Sequence, residues 1–464
     1  MKAIEVKIHN FRSICDATIT LSDYNLLVGV NNSGKSTVLD AIRVFYGDGI
    51  KFSESTDFPK FGASDNESWV EIEFKPSPEE IDQLKDEYRS DSNTFRVRNY
   101  FRSDDSSNSG PYAYIDGKLS TDRFYGFRNV GQAKFGQIIY IPAVSKADDH
   151  TKLSGPSALR DLVSSVLSNV LQTSSAYQKL EQSFVTFEGN LKTEMTPDGL
   201  SLEVLENDIS DELSEWGAGF RLTVNPVGVN DVVKALIGHE IFDVALNESQ
   251  ALSSYGQGFQ RSVIYTLIRL AAHYTSRQPA KQKKDFSPEM VWILFEEPEA
   301  FLHPTQISAL AHALKKLTVT GSTQVLLSTH SPQFASHNVR DLPAICRLHR
   351  EDRVSTGFQI TKSALKAIIN DNQLDAHAWR NAGITVHEDD LTVDMESVKY
   401  ALWLDPRRCG AFFAERVLLV EGPTETALLT YLHDLGKLPQ CKGTFFLDTI
   451  GKYKVQYASI HETI

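Results

Sequence analysis

The stretch LLVGVNNSGKSTVLDAI, residues 26–42, decides the fold. Its first residues make a short apolar run suited to a buried central strand, and STVLDAIRVFYG follows with helical spacing at Val38, Ile42 and Phe45. Between the two, Gly29, Val30, Asn31, Asn32, Ser33, Gly34, Lys35 and Ser36 match GxxxxGK[ST] without a gap. The glycines let such a loop wrap a phosphate so that successive backbone N–H groups face it, and the positive end of the following helix adds to the attraction. The spacing predicts a nucleotide seat. Lys35 reaches the β and γ phosphates, the Ser36 hydroxyl ligates Mg²⁺, and Asn31, Asn32, Ser33 and Thr37 complete the wrap.

Outward from this loop the chain alternates between strand and helix patterns. Ile4, Val6 and Ile8, and later Val70, Ile72 and Phe74, recur with the period of half-buried strands. Residues 101–118 are polar and turn-rich and read as a hairpin loop. QIIYI, ending at Pro142, reads as another strand. From Leu159 through Leu162, Val163, Val166, Leu167, Val170 and Leu171 one apolar stripe runs at helical spacing, so residues 155–216 are expected to be a helical insertion. The strands MVWILF and STQVLLS, separated by helical PTQISALAHALKKL, are the order of parallel α/β construction. The expected layout is an N-terminal ATPase lobe at 1–154, the insertion, a C-terminal lobe at 217–405 and a final α/β segment at 406–464.

Composition limits the classes available. A chain of 464 residues is long enough for two or three domains. With 47 basic and 60 acidic residues the net charge is −13, so the molecule as a whole repels nucleic acid and DNA contact has to come from a local patch. Cys15, Cys346, Cys409 and Cys441 have no zinc-site spacing, and no run nears the roughly 20 apolar residues of a spanning helix. A reduced cytoplasmic protein without membrane attachment is expected.

Three further stretches carry chemistry. VWILFEEPEAFLHP puts Glu296 and Glu297 at the end of an apolar strand, where a Mg²⁺ shell needs an acceptor and an attacking water needs orienting. Glu296 is assigned the first task and Glu297 the second. VLLSTHSPQ ends the next strand with Thr329 and His330, and His330 is assigned a phosphate contact. LSSYGQG leads small residues into a helix with Val263, Ile264, Leu267 and Ile268, a second helix N-terminus that can seat an anion.

In this order these stretches resemble an ATP-binding cassette type of head, as in the SMC and recombination ATPases. EEPEAFLHP, STHSPQ and FFAERVLLVEGPTE resemble more closely the OLD (overcoming lysogenisation defect) family of ATP-dependent nucleases. The resemblance implies an α/β fold, an ABC-type P-loop ATPase head with a helical insertion and an incomplete Toprim segment. It implies that Ser254, Gly256 and Gln257 cap a γ-phosphate bound by another copy in a homodimer or larger homo-oligomer, with the insertion assisting. It also implies that Arg12 lies near the nucleotide, that ATP and Mg²⁺ are bound, and a role in phage defence. Glu296 stands where many cassette ATPases carry Asp, and either supplies hard oxygens.

RVLLVEGPTE then resembles the first Toprim strand, with Glu421 as acid/base or metal ligand and Glu425 on the following turn, and GTFFLDTIGKYKV resembles the second. No DxD pair follows Asp448. Cleavage by this chain alone is therefore not expected, and the nuclease is expected from a partner polypeptide or a missing part of the Toprim domain. Two rivals stand beside this reading: an ATP-gated scaffold without efficient turnover, and an active endonuclease recruiting Asp389, Asp390 or Asp394.

Overall fold

The fold is that of a computed structural model, which describes residues 1–105, 109–126, 135–143, 194–222, 240–275, 290–319, 323–335, 339–367 and 408–449, with single residues between. The chain divides into two compact units, one of Met1–Ser145 with Ala280–Ile464 and one of Lys146–Pro279, so residues 217–279 group with the insertion.

In the first unit two six-stranded sheets enclose one helix. Strands β1 (Lys2–Phe11), β2 (Ile14–Thr20), β4 (Ser68–Lys75), β5 (Phe95–Arg102), β6 (Gly110–Ile115) and β7 (Lys118–Arg123) form an antiparallel sheet in the order β2-β1-β4-β5-β6-β7. Strands β3 (Tyr24–Val28), β8 (Gln137–Ile141), β11 (Val291–Glu296), β12 (Thr323–Ser328), β13 (Ile345–Glu351) and β14 (Val354–Gln359) form the second sheet, ordered β14-β13-β3-β12-β11-β8. Every neighbouring pair there is parallel except β13 with β14.

Helix α1 (Lys35–Tyr46) packs on both sheets. Its Val38, Leu39, Ile42 and Phe45 are buried with Val6, Val70, Ile72 and Phe74 of the antiparallel sheet and Leu27, Trp292, Leu294 and Leu326 of the parallel one. A helix walled on two sides shows apolar residues around most of its circumference, which is why Ala41, Val44 and Tyr46 are buried as well. Each large core side chain contributes about 1.5–3 kcal/mol on burial. The helix immediately following the glycine loop is thus fixed from two directions.

The segment read as a hairpin loop at 101–118 contains a strand. β6 pairs Ala113 with Val97 and Tyr112 with Arg98, and Asp116 and Gly117 make the turn into β7. Its polar composition hid a strand whose buried side is Pro111, Tyr112 and Ala113.

In the second unit, α2 (Leu202–Leu213) is capped by Ser201 and buries no side chain, β9 (Ile241–Asp243) and β10 (Glu248–Gln250) form a hairpin, and α3 (Gln257–Thr275) follows the serine-glycine loop. The apolar stripe from Leu159 to Leu171, apart from Leu159 and Val163, lies outside the described residues, as do Asp389, Asp390 and Asp394. In the first unit α4 (Pro304–Thr318) lays Ile307, Leu310, Ala311 and Leu314 against the parallel sheet. The last described segment is a βαβ unit: β15 (Arg416–Val420), α5 (Pro423–Asp434) and β16 (Thr444–Asp448), the strands parallel with Val420 opposite Asp448. No helix among the described residues is long and apolar enough to cross a membrane.

Candidate functional site

Strands β3, β11 and β12 run side by side in one direction, so their C-terminal ends meet at one edge of the sheet. That edge is where open α/β sheets place ligands. The glycine loop leaves β3 there. A Cβ on Gly29 would stand 2.2 Å from the Leu348 carbonyl oxygen, so the loop lies too close to β13 for any side chain at this position. Asn32 takes the left-handed conformation, φ 63°, and Arg350 donates to its carbonyl and side-chain oxygens at 3.4 and 2.8 Å.

Lys35 is buried, and its ammonium donates to the carbonyls of Gly29 and Val30 at 3.0 and 2.9 Å. Burial lowers the Lys35 pKa, while Glu297, Glu299 and Glu296 oppose that effect.

Ser36 donates from Oγ to Glu296 Oε1, and Tyr140 donates to Glu296 Oε2 at 2.8 Å. A hydroxyl and a carboxylate thus converge at one point, with the carboxylate held from behind. Two hard oxygen donors suit Mg²⁺, which usually takes one or two protein oxygens and completes its shell with phosphate and water. Among the described residues no group of three or more His, Cys, Asp or Glu side chains could hold a metal.

Glu297 sits just past β11 with φ 44°, its N–H donating to the Ser328 carbonyl at 2.8 Å. After this left-handed turn Glu297 lies near His330, while Glu296 meets Ser36 and Tyr140. His330 Nε2 is 3.5 Å from Glu297 Oε1, beyond hydrogen-bond reach, and Nε2 is buried without a hydrogen-bond partner. Burial, with help from Lys35, lowers the His330 pKa against the pull of Glu297, which favours the neutral ring. Glu299 accepts from the His330 N–H at 2.5 Å and from Thr329 Oγ1 at 2.8 Å, which fixes the backbone that carries the imidazole. Burial raises the Glu299 pKa even though these bonds favour its charged form.

A cavity of 410 Å³ gathers these parts, lined by Arg12, Asn31, Asn32, Gly34, Lys35, Ser36, Thr37, Glu297 and His330 together with Phe61, Arg350 and Arg353. Arg12 donates to Asp57 at 2.7 Å and to Asp40 at 2.6 Å. Tyr140, Glu299, Arg350 and Arg353 were not found by sequence reasoning. Tyr140, Arg350 and Arg353 reach the site through the sheet from far along the chain, where no local pattern marks them, whereas Glu299 lies just past Glu297 in EEPEAFLHP and is set apart only by its bonds to Thr329 and His330.

The serine-glycine loop belongs to the second unit. Tyr255 OH donates to Asp243 Oδ2 at 3.1 Å, Gln260 Nε2 donates to the Tyr255 carbonyl at 2.7 Å, and the Tyr255 and Phe259 rings lie 4.5 Å apart. Ser254, Gly256 and Gln257 are exposed, and a Cβ on Gly256 would meet nothing within 4 Å. In the C-terminal βαβ unit, Glu421 follows β15, Glu425 lies in the first turn of α5, and Asp448 accepts from Arg408 at 2.6 Å. None of the three lines the cavity.

The AAA ATPase domain family matches residues 1–108 and 69–335, and the Overcoming lysogenization defect protein-like, TOPRIM domain family matches 412–463. The Old nuclease of Escherichia phage P2 is 23% identical over 93% of this chain and 70% of its own length. Endonuclease GajA of Bacillus cereus (strain VD045) is 22% identical over 98% of this chain and 72% of its own. The OLD nuclease of Thermus scotoductus is 27% identical over 35% of this chain and 27% of its own. Among solved structures, the SMC head domain from Thermotoga maritima has TM-score 0.38 at 15% identity, covering 78% of this chain and all of that one.

Proposed function

Because the chain belongs to the OLD family, an AAA ATPase domain followed by an OLD-like Toprim segment, we propose that it hydrolyses ATP at a site completed by a second copy of itself and couples this cycle to DNA processing. The observation that carries the reading is the convergence of Lys35, Ser36, Glu297 and His330 on one cavity at the ends of three parallel strands.

In this reading the loop N–H groups and Lys35 bind the β and γ phosphates, Lys35 exchanging its two carbonyl partners for phosphate oxygens. Ser36 and Glu296 would hold Mg²⁺, which neutralises charge developing on the phosphates. Glu297 orients the attacking water and accepts its proton, and its separation from the neutral His330 leaves the carboxylate free for that task. His330 donates one hydrogen bond to the γ-phosphate through the ring nitrogen that has no partner. Ser254, Gly256 and Gln257, exposed on a loop braced by Tyr255 and Asp243, close over the phosphate of the partner copy. The oligomer is then at least a homodimer, and hydrolysis reopens it. The protein works in the cytoplasm, in phage defence.

Cleavage of DNA needs several carboxylates around divalent metal. Glu421, Glu425 and Asp448 are those the described Toprim strands offer, and Asp448 is engaged by Arg408. The ATPase is therefore the activity of the described residues, and cutting requires carboxylates beyond them or in a partner. The test is phosphate release by the purified chain and by Glu297→Gln. Turnover that the substitution abolishes supports the ATPase reading, whereas no turnover in either supports a nucleotide-gated scaffold.

A further inference from the structure

The cavity lining carries groups that phosphate chemistry does not need. Phe61 is 52% exposed and lines the cavity, and the Arg353 guanidinium lies 4.5 Å from its ring centroid. An exposed aromatic paired with an arginine at the mouth of a nucleotide pocket is a stacking surface for a flat ring.

Both halves are held where the local chain would not place them unaided. Asp352 and Arg353 form a two-residue hairpin turn between β13 and β14, with Glu351 opposite Val354 and φ of 46° and 72°. Such turns favour Asn-Gly, so a side chain as large as arginine at the second position is kept against preference. On the other side, the loop carrying Phe61 is pinned at both ends by the β1–β2 hairpin. Arg12 holds Asp57 through backbone and side chain at 2.6 and 2.7 Å. His9, stacked on Trp69 at 4.9 Å, bonds Asp65 through Nε2 at 3.0 Å and Asp16 through Nδ1 at 2.6 Å, and Asn10 donates to Asp65 at 2.9 Å. Asn10 and Arg12 themselves adopt left-handed conformations, φ 47° and 52°. Between the pins, Gly62 is closely enclosed at φ 78°, where a Cβ would lie a tight 3.0 Å from both Cys15 Sγ and Val354 Cγ2.

We infer that Phe61 and Arg353 form the platform on which the nucleotide base stacks, and that His9 and Asp65 position Phe61 for it. The inference rests on the cavity being the nucleotide seat. Faces, not edges, do the reading, so purine nucleotides bind better than pyrimidine ones and ATP is little distinguished from GTP. Arg350, which lines the same cavity, is held to the glycine loop through Asn32.

The test compares affinities of the full chain, with Mg²⁺, for ATP, GTP, CTP and inorganic tripolyphosphate. Phe61→Ala is expected to weaken ATP and GTP by about tenfold or more while tripolyphosphate stays within about twofold, and Phe61→Trp restores both. Arg353→Ala follows the same pattern. Asp65→Ala loses part of the ATP affinity in the native background and nothing further alongside Phe61→Ala, the non-additivity of a residue acting through another. ATP affinity unchanged by Phe61→Ala, or lost in equal measure with tripolyphosphate, overturns the platform. Lys35→Ala separates the two readings: it abolishes tripolyphosphate binding if the loop is the phosphate seat, and unchanged tripolyphosphate binding overturns that seat whatever Phe61 does.

Discussion

Replacing Glu299 tests whether the imidazole is positioned or merely nearby. The carboxylate accepts the His330 N–H at 2.5 Å and the Thr329 hydroxyl at 2.8 Å, and it acts on Lys35 and Glu297 only through charge. In Glu299→Ala the hydroxyl can rotate to another acceptor, but the His330 N–H loses its partner at a cost of about 1–3 kcal/mol. Part of that is returned, because the carboxylate is itself buried unfavourably, as its raised pKa shows. A net loss of roughly 1–2 kcal/mol at the loop carrying His330 corresponds to about a 5- to 30-fold fall in kcat if that loop must be in place in the transition state. Glu299→Gln keeps one acceptor oxygen and is expected to lose less, about three- to fivefold. The assay is steady-state phosphate release with a parallel ATP-binding measurement. KM and ATP affinity should stay within about twofold, since Lys35 and the glycine loop are untouched. Native turnover in Glu299→Ala would refute the reasoning, and so would a loss of binding equal to the loss of turnover.

Other consequences follow from the same geometry. Lys35→Ala should abolish phosphate release, read by a coupled phosphate assay, without unfolding the chain, read by circular dichroism. Tyr140→Phe removes one of the hydrogen bonds on Glu296 and should raise the Mg²⁺ concentration for half-maximal activity about three- to tenfold while leaving the rate at saturating metal nearly native. Protonating His330 would pair it with Glu297, 3.5 Å away, and take the carboxylate that orients water. Because burial and Lys35 lower the His330 pKa, the acid limb of kcat should have its midpoint below 6.5 and should be absent in His330→Gln. The stability contribution has the same sense: folded His330 binds fewer protons than the unfolded chain, so stability is intact above 6.5 and is lost as pH falls toward the lower folded value, measurable by urea unfolding across that window.

What the sequence disclosed is what local chemistry writes into neighbouring residues. Gly29 to Ser36 encode a turn, a phosphate wrap and a helix start in one continuous run, and β11 ends in Glu296, half-buried where the strand leaves the core, while Ser328 at the end of β12 stays buried. The α1 spacing was legible as a helix, but not that both its sides are buried, since that depends on two sheets closing from different parts of the chain. β6 was missed because Gly110 and the surrounding serines and aspartates outweigh the short buried run of Pro111 to Ala113. The positioning residues were illegible for a related reason. Tyr140 lies 156 positions from Glu296 and Arg350 lies 318 from Asn32, and only sheet order β13-β3-β12-β11-β8 brings them together.

Completion of one copy's phosphate seat by the serine-glycine loop of another is the claim on which the functional account turns. Lys35→Ala and Ser254→Arg chains should each be inactive alone, the second because an exposed serine on that loop meets phosphate only across the dimer. Mixed and allowed to exchange, they form dimers in which one of two sites is native, so phosphate release should recover to about a quarter of the wild-type rate for statistical pairing in a two-fold dimer. Ser254→Arg chains that are fully active on their own would contradict the account, as would a mixture that exchanges subunits and remains dead.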